Sequence, residues 1–157
     1  MKQLKLIVLM LVSCLFFTGC NDEDDIMKIF VSGEWTLGNY FTGGELGNPM
    51  DPGRPLYTPP QYIDDLKAME KIKMTFNDDM TVDITLSNKQ CKGRWTCNPA
   101  DRSISFSDIN APSSIRGHDK KFIDTLKEVR FYAGDSNHIE LAPADKQTYM
   151  QLAHFKH

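Results

Sequence analysis

From residue 72 onward, apolar and polar positions alternate with a period of two. Ile72, Met74 and Phe76 fall on one side, with Lys73 and Thr75 on the other. Beyond Asn77-Asp78-Asp79, the residues Met80, Val82, Ile84 and Leu86 alternate with Thr81, Asp83 and Thr85. Cys91, Gly93, Trp95 and Cys97 then share a face against Lys92, Arg94 and Thr96, and Ile104 and Phe106 sit between serines. Such alternation marks half-buried strands. The Asn-, Asp- and Pro-rich breaks between them are turn chemistry. Further strands are predicted at residues 33–41, where Trp35 and Leu37 share a face, and at 129–133, 138–142 and 149–155.

Two stretches follow a helical period instead. Tyr62, Leu66 and Met69 recur at i, i+4, i+7, which predicts a helix over residues 60–71 with Pro60 as its first residue. Phe122, Leu126 and Val129 repeat the spacing and predict a second helix over 118–127. Between residues 43 and 60, Pro49, Pro52, Pro55, Pro59 and Pro60 forbid a central strand and leave a long, stiffened loop. The expected fold is mainly β (α+β). It is an antiparallel meander of about eight strands in a small barrel, open or closed, with two short helices.

The N-terminus carries a different pattern. Lys2 and Lys5 precede an apolar run over residues 6–17, which ends in Phe17-Thr18-Gly19-Cys20. A run of this length falls short of the about 20 residues needed to span a bilayer as a helix. Charge, run length and a small residue before a cysteine are the parts of a secretory signal. The last four residues resemble a bacterial lipobox. Residues 1–19 are therefore expected to be cleaved, and Cys20 to be lipidated, tying the protein to a membrane. Two or more acyl chains make such anchoring stable. The acidic run Asn21-Asp22-Glu23-Asp24-Asp25 resembles the export signal of surface lipoproteins. Residues 20–29 are expected to form an acidic tether ahead of a single domain over 30–157. The expected location is the cell envelope, as an outer-membrane lipoprotein exposed at the surface.

Composition narrows the function classes. The formal net charge of −3 falls to −5 once Lys2 and Lys5 leave with the signal. No basic patch remains for nucleic acid. Of four cysteines, Cys14 leaves and Cys20 is acylated, so Cys91 and Cys97 remain. In one strand, six residues apart, their Cα atoms are about 20 Å distant. A disulfide needs roughly 4.4–6.8 Å, so the pair is expected to be unpaired thiols. No CxxC, HExxH, phosphate loop or nucleophile elbow occurs. No metal or cofactor is expected.

The order of pieces from Gly33 onward resembles a META domain, a small bacterial envelope module. The likeness rests on Gly33-Glu34-Trp35-Thr36-Leu37, on Phe76-Asn77-Asp78-Asp79-Met80-Thr81-Val82, on residues 88–95, and on the late pair of residues 122–126 with Ile139-Glu140-Leu141. A lipocalin-like lipoprotein domain also opens with Gly-x-Trp and is the second resemblance. The META family carries no assigned catalytic residues, so the resemblance implies a non-enzymatic module.

Three sets of residues are candidates for function. Arg54, Tyr57 and Tyr62, in and beside the Pro-rich loop, are candidates for binding a protein or glycan, because a stiff loop bearing aromatics loses little entropy on binding. Trp35, Phe76, Trp95 and Phe106 would line an interior cavity if the barrel carried a small apolar ligand. An envelope protein with a structural or stress-protective role needs neither. Asp78-Asp79 and Asp64-Asp65 are carboxylate pairs, but their positions suit a hairpin turn and a helix first turn. His118, His138, His154 and His157 are scattered.

Overall fold

The structure, a computed structural model, describes residues 22–154. Nine strands and three helices follow in chain order: α1 (Asp22–Phe30), β1 (Glu34–Thr42), β2 (Arg54–Pro55), α2 (Ile63–Met69), β3 (Lys73–Phe76), β4 (Thr81–Thr85), β5 (Gln90–Asn98), β6 (Ser103–Ser107), α3 (Gly117–Glu128), β7 (Val129–Gly134), β8 (His138–Pro143) and β9 (Thr148–Ala153). Each strand from β3 to β9 pairs antiparallel with the next, and β1 pairs with both β3 and β9. The meander is thus a closed eight-stranded barrel, and β2 is a two-residue addition on β1. Closure leaves no long unpaired edge, the main aggregation hazard of an open sheet.

The alternation of the sequence becomes the inside and outside of the wall. Trp35, Leu37, Met74, Phe76, Val82, Ile84 and Trp95 are all buried. A register shift in β1 between Leu37 and Asn39 moves the phase by one residue. Tyr40 therefore points inward and joins the core, where strict alternation would have placed Asn39.

Two ends are closed differently. The start of β1 and the β3–β4, β5–β6 and β7–β8 turns lie at one end. There α1 lies across the opening and Phe30 enters the core, 1% exposed. Its ring stands 4.9 Å from Phe76, 5.3 Å from Trp95 and 5.1 Å from Tyr132, centroid to centroid. Its carbonyl accepts the Trp35 Nε1–H bond at 2.9 Å. At the other end, α3 buries Phe122, Ile123 and Leu126. Asp119 of α3 accepts bonds from the Ser87 backbone N–H (3.1 Å) and hydroxyl (2.9 Å), tying the helix to the β4–β5 turn.

Several expectations are corrected here. Residues 22–29 are a helix rather than a solvated tether, and Ile26, Met27 and Ile29 pack on the core. The domain therefore starts before residue 30. The helix expected from Pro60 starts at Ile63, because Tyr62 N–H first closes a turn onto Thr58 O and Tyr62 is the N-cap. The Pro-rich loop contains the short strand β2. Met80 belongs to the β3–β4 turn, with φ of 63°, and is half-buried. Residues 1–21, with the cleavage site and Cys20, and residues 155–157, with His157, lie outside the described residues.

Candidate functional site

The Pro-rich loop divides into two parts with different duties. Residues 43–53 form a strap on the outer wall of β7, β8 and β9. Glu45 N–H donates to Asp51 O, Asn48 N–H to Glu45 O and Asp51 N–H to Asn48 O, which knits the strap internally. Gly47 lies directly against the wall. Its φ is +76°, its N–H donates to Glu140 Oε2 at 2.8 Å, and a Cβ there would stand 2.6 Å from the Ala133 Cβ. The Tyr149 hydroxyl donates to Pro52 O, and the Tyr149 ring stacks on Phe41 at 5.3 Å. Burial, then the Glu140 and Asp51 carboxylates, push the Tyr149 hydroxyl up to about 12.

The strap leaves a furrow on each flank. Ala133, Glu140 and Gln151 sit side by side across β7, β8 and β9 and floor the larger one, of about 540 Å³. Gly47, Asn48 and Pro52 form one wall. Ile26 of α1, Arg102 of the β5–β6 turn, Asp135 of the β7–β8 turn and His138 at the start of β8 complete it. Asp135 accepts bonds from Asn137 N–H at 2.7 Å and His138 N–H at 3.2 Å. The Asn137 bond chiefly holds its carboxyl below the usual range. The second furrow, about 220 Å³, lies beside Glu45, Leu46, Phe131 and Lys146. Arg102, Tyr132 and Ala133 line both, so the two meet beside the strap. The lining mixes polar and apolar surface in near-equal measure, with charges of both signs.

The second part of the loop runs to the α2–α3 end. Asn39 clamps Tyr57, donating through Nδ2 to Tyr57 O at 2.7 Å and accepting from its N–H at 3.3 Å. Lys121 Nζ donates to the Tyr57 hydroxyl at 3.1 Å and stands 4.1 Å from the Tyr40 ring centroid. Tyr62 and His118 meet the Tyr57 ring edge-on, at 5.5 and 5.4 Å. His118 Nε2 lies 2.7 Å from Asp65 Oδ1, joining α3 to α2. The structure thus brings Tyr57 and Tyr62 together but places Arg54 on β2, paired with Thr42. Tyr57 is held in an internal latch and is half-buried. Burial raises the Tyr40 hydroxyl well above the usual phenol range, with the Tyr57 hydroxyl adding to it and the Thr125 side chain opposing.

The interior aromatics are corrected as well. Trp35 and Trp95 are fully buried, with Phe76 and Phe106 nearly so. Phe76 meets Trp95 at 4.9 Å and Phe106 at 6.0 Å. Phe30, the residue at which the domain was expected to begin, fills the space that these rings would have bordered. Cys91 and Cys97 are free thiols, and burial raises both pKa values. Asp79 accepts bonds from the Thr81 hydroxyl and backbone N–H, a turn arrangement that lowers its pKa. Among the described residues, no three His, Cys, Asp or Glu side chains gather as a metal site.

The furrow residues Arg102, Asp135, His138, Glu140 and Gln151 were not singled out from the sequence. The period of two places Ala133, Glu140 and Gln151 on the outer face, but nothing local says that a loop some ninety residues earlier covers that face.

These features define a small closed β-barrel with an external strap and, beside it, a furrow that carries charged and hydrogen-bonding side chains. A family model for DUF4847, a domain of unknown function, matches residues 21–154, and the chain belongs to that family. The crystal structure of a DUF4847 family protein from Bacteroides vulgatus ATCC 8482 is similar, with a TM-score of 0.73 and 27% identity. That match covers 84% of this chain and 99% of the other. No curated protein matches. The family match includes α1, in keeping with its packing on the barrel.

Proposed function

We propose that this protein is a lipid-anchored, non-enzymatic binding module of the cell envelope, and that it takes an extended polar ligand, a glycan strand, in the furrow beside the strap. The anchor reading rests on the lipobox-like end of the signal segment at Cys20, and the envelope location follows from it. The outer-membrane surface is the proposed site, from the acidic run after Cys20. The META-like order of motifs points to a non-enzymatic envelope module as well.

One observation carries the ligand class. The joined furrows offer hydrogen-bonding side chains along an open outer wall, whereas Phe30 and the aromatics fill the interior. A small apolar ligand needs an enclosed apolar site. A long polar chain needs a track with spaced donors and acceptors. Arg102, Asn48, His138 and Gln151 supply them here.

The test is a calorimetric titration of the mature protein with soluble oligosaccharide pools released from bacterial envelopes. Binding that weakens at least about tenfold, or 1.4 kcal/mol, in an Arg102→Ala, Gln151→Ala double variant supports the reading. Binding unchanged by the double variant, or no binding at all, sinks it. Deleting the strap would be a poor test, because it would uncover Glu140 and Tyr149.

A further inference from the structure

We infer that the barrel stands on the bilayer on its α1 end, so that the furrow opens at the headgroup layer and the α2–α3 end faces away from the membrane. This rests on the anchor at Cys20 proposed above. The partner is the bilayer surface itself.

Three observations carry it. First, α1 begins at Asp22, two residues after Cys20. Two residues span at most about 7 Å, so the acylated residue lies close to the helix start. Second, α1 is fastened to the barrel. Phe30 is buried among Phe76, Trp95 and Tyr132, and Met27 Sδ lies 3.6 Å from Cys97 Sγ. A free tether of ten residues would wander over roughly 18 Å and leave the orientation open. A packed helix removes that freedom. Third, Ile26 of α1 lines the furrow with Arg102 and Asp135 of the turns and His138 at the start of β8, all at this same end. The ligand site and the anchor therefore share one end of the molecule.

Charge does not set this stance. The turns at the α1 end carry Asp78, Asp79, Asp101 and Asp135, which anionic headgroups repel. The lipid and the helix set it, so the orientation survives added salt. The exposed Leu56 and Ile63 lie at the far end, away from the bilayer.

The experiment uses the full lipidated chain in vesicles of phosphatidylethanolamine and phosphatidylglycerol that carry a headgroup-attached nitroxide quencher. A fluorophore is placed at Ala100→Cys in the β5–β6 turn, or at Gln61→Cys beside α2, each in a C91A/C97A background. Loss of fluorescence at position 100 with none at 61 is expected. Equal loss at both, loss at 61 alone or loss at neither overturns the orientation. The intact mass of the purified chain separates the two ideas. An acylated chain with the wrong pattern overturns the orientation alone, and a chain without acyl groups overturns the anchor as well. If the background variant does not fold, hydrogen exchange of the unsubstituted chain decides the matter. Vesicles should slow exchange at 98–102 and 134–137 and leave 56–63 unchanged, and the opposite pattern refutes the proposal.

Discussion

Gly43 and Gly47 both hold positive φ, at +67° and +76°, yet they face different surroundings. A Cβ on Gly43 would meet nothing within 4 Å, while one on Gly47 would collide with the Ala133 Cβ at 2.6 Å. Gly43→Ala should therefore cost only the left-handed backbone strain, about 1–2 kcal/mol. Gly47→Ala adds overpacking of about 1–3 kcal/mol. Urea titration of the two variants checks this, and equal midpoints would show that the strap does not touch the wall at Gly47. A second residue-scale prediction concerns Asp119, which is 8% exposed and accepts two bonds from Ser87. Asp119→Ala leaves the Ser87 N–H without its partner and should cost about 1–3 kcal/mol. Neither residue stood out in the sequence. The inward set of Met74, Val82, Ile84 and Trp95 did, because its signal is a short-range period. Gly47 and Asp119 act through contacts across 93 and 32 residues, on which a local pattern is silent.

Among the elements, α1 is where the sequence pattern and the structure part most. Four acidic residues in a row, Asp22-Glu23-Asp24-Asp25, suggested a solvated segment. The competing signal lies just after them. Ile26, Ile29 and Phe30 recur at i, i+3, i+4, the spacing of a helix face, and that face packs on the barrel end. Phe30→Ala should cost about 3–5 kcal/mol, the range for a buried aromatic cut to alanine. It should also release α1, so amides of residues 26–30 should exchange faster than those of β4 and β5 under native conditions. Exchange at α1 unchanged from the parent would mean that the helix holds without its anchor. The strands were more legible, since turn residues and alternation agree at nearly every boundary. The bulge at Gly38 was not, because the choice between Asn39 and Tyr40 as the inward residue depends on the pairing of β1 with β9.

At the scale of the whole molecule, ionisation bounds the stable pH range from both sides. Asp79, Asp83, Asp101 and Asp135 all titrate below their ordinary value, mainly through hydrogen bonds within turns and to Asn77. A depressed carboxyl pKa stabilises the fold above the unfolded value of 3.8, and the gain is lost as pH falls through the lower folded value. The alkaline side has the opposite sign. Tyr149 is neutral in the fold up to about 12, against 10.0 in an unfolded chain, and Tyr40 is raised further. Unfolding then releases thiol protons of Cys91 and Cys97 from about pH 9 and phenolic protons above pH 10, so stability begins to fall near pH 9 and falls further as pH climbs toward 12. Urea midpoints at pH 7, 9 and 11 should fall slightly from the first to the second, where the thiols ionise only in the unfolded chain, and again at the third, where the phenols do. In Tyr149→Phe the loss of the Pro52 bond lowers all three midpoints, but the drop from pH 9 to 11 shrinks because that phenol no longer ionises. A drop as large as the parent's would place the alkaline sensitivity on the other buried groups, Tyr40, Tyr132, Cys91 and Cys97, rather than on the strap. The strap is where it matters for ligand capture, since Tyr149 holds Pro52 and Pro52 borders the furrow.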